Sequence, residues 1–285
     1  MIQPRASSAA GATGARASSS PGEAAAWGRL EAELDAWQAT GHIVTLWWRD
    51  DDATAPTPAL ERLLDLTGRR AIPLTLAIIP RDATHALAER IRSAAHITVS
   101  QHGWAHLNHA PVDHKKSELG ADRAVDAVVA ALERGADRLD GLFGPARRWL
   151  TPPWNRIAPT VAGALDPARF AGVSAFGPRD RGAEGRCNTH VDPIDWRGRY
   201  GVPRSTLPVP MILDQLIGHL AGRRQGRFDP AEPTGLLTHH LDHDAALWRF
   251  LECLVDRLWN DVRVRWIAPT GAAHLAPAFA CGTAT

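Results

Sequence analysis

Three consecutive aspartates, Asp50, Asp51 and Asp52, close an apolar run that starts at Ile43. Adjacent carboxylates repel one another unless water, a proton or a cation relieves them. Two clusters of imidazoles stand further along. His102 and His106 are four residues apart in His102-Gly103-Trp104-Ala105-His106. That spacing predicts both rings on one side of a helical turn, where they could hold a divalent metal. Position 103 is glycine where a zincin helix carries its catalytic glutamate, so that protease class is excluded. The other cluster is Thr238-His239-His240-Leu241-Asp242-His243-Asp244. His239 directly follows an apolar run, and a histidine there is suited to general acid work near neutral pH. Two histidines and a carboxylate, with one position left for water, make a hydrolytic zinc arrangement. Each cluster also has an ordinary alternative. Asp52 or Thr54 could cap the helix that Pro58 helps to start, and Asp242 or Asp244 could cap the helix after the second histidine cluster.

The elements that must position these residues follow from hydrophobic periodicity. Residues 43–48 are β-branched and aromatic and read as a buried strand. Further strands are predicted at 72–79, 97–99, 148–151, 172–176, 236–238 and 262–267. Helices are predicted at 23–40, around Leu60–Leu66, at 83–94, at 125–143, at 211–220 and from Leu247 to Trp259. The segment 177–210, rich in proline and glycine, is expected to form loops over a site. Short strands alternating with helices imply a parallel sheet with crossover helices, hence an α/β fold and a (β/α) barrel with fewer than eight complete units. The aspartates, the first histidine pair, Thr151–Asn155 and the second histidine cluster all follow strand C-termini. In a barrel those ends gather at one face, so residues distant in sequence become neighbours.

Composition bounds the partners. At 285 residues the chain can bury one large core. A net charge of +1 gives no field to draw in nucleic acid or an anionic membrane. Three widely spaced cysteines, Cys187, Cys253 and Cys281, argue against a disulfide framework and fit a reducing compartment. Residues 1–22 are rich in Ser, Ala and Gly without the apolar core of a signal peptide, and no run reaches the ~20 apolar residues of a membrane span. The expected organisation is a disordered tail at 1–22, one catalytic domain at 23–275 and a tail at 276–285, in a cytoplasmic protein. Eleven tryptophans against one tyrosine could line a sugar groove, although tryptophans more commonly pack cores and rims.

The ordered set of the acidic strand end, the HxxxH, the Thr151-Pro152-Pro153-Trp154 turn and the Leu237-Thr238-His239 strand resembles the polysaccharide deacetylases, carbohydrate esterase family 4, over about residues 42–268. The resemblance implies an irregular (β/α) barrel holding one divalent metal ion, usually zinc. It implies His102 and His106 as ligands, His239 as general acid, and an aspartate pair that supplies one base and one ligand. Two registers stay open: Asp50 as base with Asp51 as ligand, or Asp51 as base with Asp52 as ligand. Trp104, Pro153, Trp154 and Asn155 flank the implied site as substrate-binding residues. The family places an arginine just before the Pro-Pro-aromatic turn to orient the base. Here that position is Thr151, and Arg148, Arg156 or Arg49 could substitute. Asp192 and Asp195-Trp196 loosely resemble the Asp-Trp motif that supports the acid histidine.

The implied reaction is metal-assisted removal of an N- or O-acetyl group from a carbohydrate. The alternatives are hydrolysis of another small amide on the same fold, or a degenerate barrel that binds carbohydrate without turnover. The expected partner is a carbohydrate or a small acetylated or amide substrate, with neither nucleic acid nor membrane.

Overall fold

The computed structural model describes residues 20–269. The expected tail at 276–285, all but the end of the tail at 1–22, and Cys281 lie outside the described residues. The chain opens with helix α1 (Pro21–Ala39), which the Ser20 hydroxyl caps by accepting from the Glu23 amide. Strand β1 (Val44–Ala53) follows, then α2 (Pro58–Gly68), β2 (Leu74–Ile78), α3 (His85–Ile91), β3 (Ile97–His102), α4 (Val125–Phe143) and β4 (Arg148–Thr151). The second half holds α5 (Pro159–Gly163), β5 (Phe170–Val173), an antiparallel pair of two-residue strands, β6 (Ile194–Asp195) and β7 (Ser205–Thr206), then α6 (Val209–Arg224), β8 (Thr234–Thr238), α7 (Ala245–Leu258) and β9 (Val264–Trp266).

Seven of these strands form one sheet in the order β5-β4-β3-β2-β1-β8, with β9 paired to the first residues of β1. Every pairing in it is parallel. Parallel strands covered on both faces read as continuous apolar runs, which is why the strands were visible in the sequence. Helices pack outside through stripes such as Leu60, Leu63 and Leu64 on α2 and Leu247, Leu251 and Leu254 on α7, all buried. Burying each such leucine contributes roughly 1.5–3 kcal/mol.

The sheet curls until β1 and β5, four places apart in its order, face each other across the interior. Trp47 of β1 meets Trp149 of β4 and Cys187 there as a small buried cluster. Between β5 and β8 no strand lies in register, and the gap is closed by the chain around 186–191. Single parallel bridges join Arg186 to Val173, Thr189 to Phe176 and Val191 to Leu236. The sequence reading placed loops over 177–210, yet residues 186–191 of that stretch complete the barrel wall. Gly235 permits the closure, because a Cβ on it would lie 2.7 Å from the Asn188 carbonyl and 2.3 Å from Trp47 Nε1. The fold is thus an irregular (β/α) barrel with fewer than eight complete units. Among the described residues no helix is long and apolar enough to cross a membrane.

Candidate active site

The aspartates lie inside β1 and do not form a turn after it. None of them caps α2, whose N-terminus is capped by the Thr57 hydroxyl. On β8, by contrast, Asp244 does cap the following helix, accepting from the Leu247 amide at 2.8 Å. Side chains alternate along a strand, so Arg49 and Asp51 share one face while Asp50 points to the other. Between β1 and β2, Asp50 pairs with Leu76 and Ala53 with Ile78, so β1 carries one extra residue. This is a β-bulge, and Asp52 takes a left-handed backbone within it, with φ +73°. Asparagine and aspartate tolerate that region better than other side chains that carry a Cβ.

The three carboxylates therefore have three different sets of partners. Asp50 is fully buried and accepts from the Thr238 hydroxyl at 2.6 Å and from His240 Nδ1 at 2.5 Å. The Thr238 hydroxyl in turn accepts from Trp48 Nε1. Burial would raise the Asp50 carboxyl, but the charge and hydrogen bond of His240 outweigh it and hold the acid below its ordinary range. Asp51 is gripped bidentately by Arg49, with Nε to Oδ1 at 2.8 Å and Nη2 to Oδ2 at 3.0 Å. Asp52 turns its Oδ1 toward His102 Nε2 at 3.1 Å and His106 Nε2 at 3.4 Å.

His102 ends β3, and His106 lies beyond it in an irregular loop. The two rings come together without the helical turn that their spacing predicted. Gly103 has φ +58° and His106 φ +55°, and the carboxylate of buried Glu118 accepts the amides of Trp104, Ala105 and His106 at 2.8–3.3 Å. These contacts satisfy the backbone donors in place of helical hydrogen bonds. A Cβ at position 103 would stand 2.1 Å from Glu118 Oε2 and 2.7 Å from Pro153, so only glycine fits. Glu118 was missed by sequence reasoning. It lies twelve residues beyond His106 in a loop without periodicity, and no local signal marks it.

The donor set suits a divalent ion. Metal bonds of about 2.0–2.1 Å in tetrahedral geometry put ligand atoms about 3.3 Å apart, close to the two distances observed. His102 Nδ1 donates to the Thr151 carbonyl at 3.0 Å, which leaves the Nε2 lone pair facing Asp52. Asp52 Oδ1 is buried and has no hydrogen-bond partner among the described residues. Lone pairs that face one point repel unless a cation or a proton lies among them. Burial opposes ionisation of Asp52, yet the close approach of the His102 ring and the charges of His102, His239 and His106 hold it well below the usual carboxylate range. The side chains of Asp52 and His106 are each 25% exposed and that of His102 is 2% exposed, so the point opens to solvent on one side. Three ligands and an open side are what a catalytic ion requires.

No protein-family model matches the chain, and no curated protein matches it in sequence. Solved structures do match. A candidate polysaccharide deacetylase from Mycobacterium smegmatis superposes with a TM-score of 0.58 at 15% identity, over 82% of this chain and 90% of that one. The chain has the polysaccharide deacetylase fold. A family 4 acetyl xylan esterase from Clostridium thermocellum matches at 13% identity with a TM-score of 0.48, over 81% of this chain and 91% of that one. A family 4 carbohydrate esterase from Streptomyces lividans matches at 15% with the same score, over 81% and 95%. At such identities the likeness is one of fold.

On this polysaccharide deacetylase fold, His239 directly follows β8 and is half-buried, with its Nδ1 out of reach of any partner among the described residues. The Trp196 ring meets it at a T-shaped 4.7 Å, and Trp196 Nε1 donates to Asp192 at 2.7 Å. Burial pushes the Asp192 carboxyl up. Trp154 packs against the His106 ring at 4.3 Å, buried Pro153 closes on Gly103, and Asn155 accepts from Arg49. Trp104 carries Arg134 over its ring. Arg148 lies away from this face, held by Asp140 and the Gly144 carbonyl, and Arg156 holds the Lys116 carbonyl. His243 sits edge-on to Trp248, and burial pushes it down to about 4.

A second group of potential ligands, His190, His219 and Glu232, lies beside the start of β8, away from this face. Its two rings stack 3.4 Å apart within 16° of parallel. Imidazole lone pairs lie in the ring plane, so stacked rings cannot converge on one ion. His190 Nδ1 also accepts the Gly235 amide, which puts the ring proton on the Nε2 that faces Glu232.

Proposed function

We propose that the chain is a zinc-dependent hydrolase that removes an acetyl group from an acetylated carbohydrate, with an N-acetylated sugar as the main substrate class. The observation that carries this reading is the convergence of Asp52 Oδ1, His102 Nε2 and His106 Nε2 at an open point beside a buried, arginine-held Asp51. In this reading Asp52, His102 and His106 hold the ion, which when bound supplies Lewis acidity to the scissile carbonyl.

The chain's own residues then divide the proton work. Asp51 takes the proton from the attacking water as its oxygen bonds to the carbonyl carbon. The C–N or C–O bond breaks, and His239 delivers a proton to the departing nitrogen or oxygen, giving acetate and a free amine or alcohol. Asp50 has both oxygens occupied by Thr238 and His240. We therefore assign it to holding the loop that carries His239, and we assign Asp51 and Asp52 as base and ligand. Trp154 and Trp196 bracket the point from the sides of His106 and His239 and offer faces to a sugar ring.

The test is metal content by mass spectrometry together with acetate release from N-acetylated chito-oligosaccharides. The expected result is one zinc per chain and turnover, with metal lost in His106→Ala while the circular dichroism spectrum stays unchanged. Full metal occupancy in that variant would refute the ligand assignment. Zinc bound without acetate release from any acetylated sugar would refute the substrate.

A further inference from the structure

We propose that Asn155 is a positioning residue for the base, acting through Arg49, and that the turn carrying it sets the base and a metal ligand together. This rests on the hydrolase reading above. The Arg49 guanidinium is fully buried and its donors are all used. Nε and one Nη2 hydrogen grip Asp51. Nη1 serves the Ser174 carbonyl at 2.9 Å, the Ser174 hydroxyl at 2.7 Å and the Ala175 carbonyl at 3.3 Å. The remaining Nη2 hydrogen goes to Asn155 Oδ1 at 2.6 Å. Arginine only donates, so the amide must present its oxygen here and not its NH2. No donor of Arg49 is left for a substrate, and its role is confined to aiming Asp51.

The position of Asn155 is costly to build. Trp154 and Asn155 are consecutive residues with φ +54° and +57°, a left-handed pair without glycine. Such conformations are sparsely populated by residues that carry a Cβ, least so by asparagine, and persist where surrounding contacts fix them. Here the contacts fall on both sides of the candidate site. Trp154 lies against the His106 ring, and Asn155 ties to the guanidinium that holds Asp51. The Asn155 amide donates to the Pro152 carbonyl at 2.8 Å and so keeps the turn closed through its own backbone. The side chain is therefore free to serve Arg49 alone. Removing it leaves a buried Nη2 hydrogen without a partner, which lets the guanidinium rotate out of the plane of its fork with Asp51.

Asn155→Gly deletes the side chain at a residue whose positive φ glycine adopts freely, so the turn survives. Asn155→Asp keeps an acceptor in the same place. The zinc-reconstituted proteins are assayed for acetate release from N-acetylated chito-oligosaccharides. The solvent-exchange rate of the Arg49 Nε–H is followed by NMR, with the signal assigned from Arg49→Lys. The expected result for Asn155→Gly is a kcat about tenfold lower, KM within twofold, zinc stoichiometry unchanged and Nε–H exchange at least tenfold faster. Asn155→Asp is expected to recover kcat to within about threefold of the wild type. Unchanged exchange and unchanged kcat in Asn155→Gly would overturn the proposal. A raised KM with kcat intact would overturn it too, in favour of direct substrate contact by Asn155. Faster exchange in a protein whose wild type releases no acetate supports the Asn155–Arg49–Asp51 linkage and overturns the hydrolase reading instead.

Discussion

At the scale of single residues, three neighbouring carboxylates have been given different chemistry by their partners alone. Asp50 has His240, Asp51 has Arg49, and Asp52 has two imidazole nitrogens. The contrast yields a direct prediction. Asp51→Asn removes the proposed base, with an expected loss of 10²–10⁴ in kcat and little change in melting temperature. Asp50→Asn should do the reverse. It leaves His240 buried opposite a neutral amide, at a cost of about 3–5 kcal/mol in stability, while kcat at a temperature where the variant is folded stays within tenfold. Steady-state kinetics and chemical denaturation on the pair separate the two registers that the sequence leaves open. A large kcat loss in Asp50→Asn with normal stability would reverse the assignment.

At the scale of elements, what the sequence shows and what it hides have a common physical cause. Strands such as Leu74–Ile78 and Arg148–Thr151, and the 125–143 helix, were legible because burial writes itself as local periodicity. The placing of the aspartates, His102, Thr151 and His239 at one face followed from strand direction alone. The bulge at Asp52 leaves no mark, because a single extra residue is visible only against the partner strand. Glu118 and the wall segment around 186–191 were missed because they act through isolated long-range contacts. The loop after β3 depends on Gly103, and this gives a second prediction. Gly103→Ala forces a Cβ into Glu118 and Pro153 at φ +58°, with an expected destabilisation of roughly 2–4 kcal/mol and weakened zinc binding, measured by thermal denaturation and metal titration. Wild-type stability in that variant would mean that Glu118 does not hold the loop.

At the scale of the whole molecule, barrel closure carries a charge cluster whose titration should set the pH dependence of stability. Glu232 has no exposed surface. Burial pushes it up to about 7 from an ordinary 4.5, against the amides of Arg179 and Asn188 and the charge of Arg179. His190, Asp229 and Arg179 surround it. A carboxyl with a raised folded pKa binds its proton more tightly in the folded state than in the unfolded one. Stability is then greatest below 4.5 as far as this group is concerned, and it falls as pH rises from 4.5 to about 7. The full effect is about 3 kcal/mol, or roughly 5–10 °C in Tm. Scanning calorimetry from pH 5 to 8 should show this decline in the wild type and a flatter profile in Glu232→Gln. Identical slopes in the two proteins would assign the dependence to other groups.

The extra residue in β1 also bears on how such a site can be lost. Deleting one codon anywhere from Asp50 to Asp52 would leave two aspartates behind the arginine and restore plain alternation. The last carboxylate would then take the place of Asp51, on the face shared with Arg49, and no aspartate would stand in the bulge that turns Asp52 toward the histidines. Gene comparisons that score the acidic run by its letters would still count the motif as present, while the protein had lost the proposed third ligand.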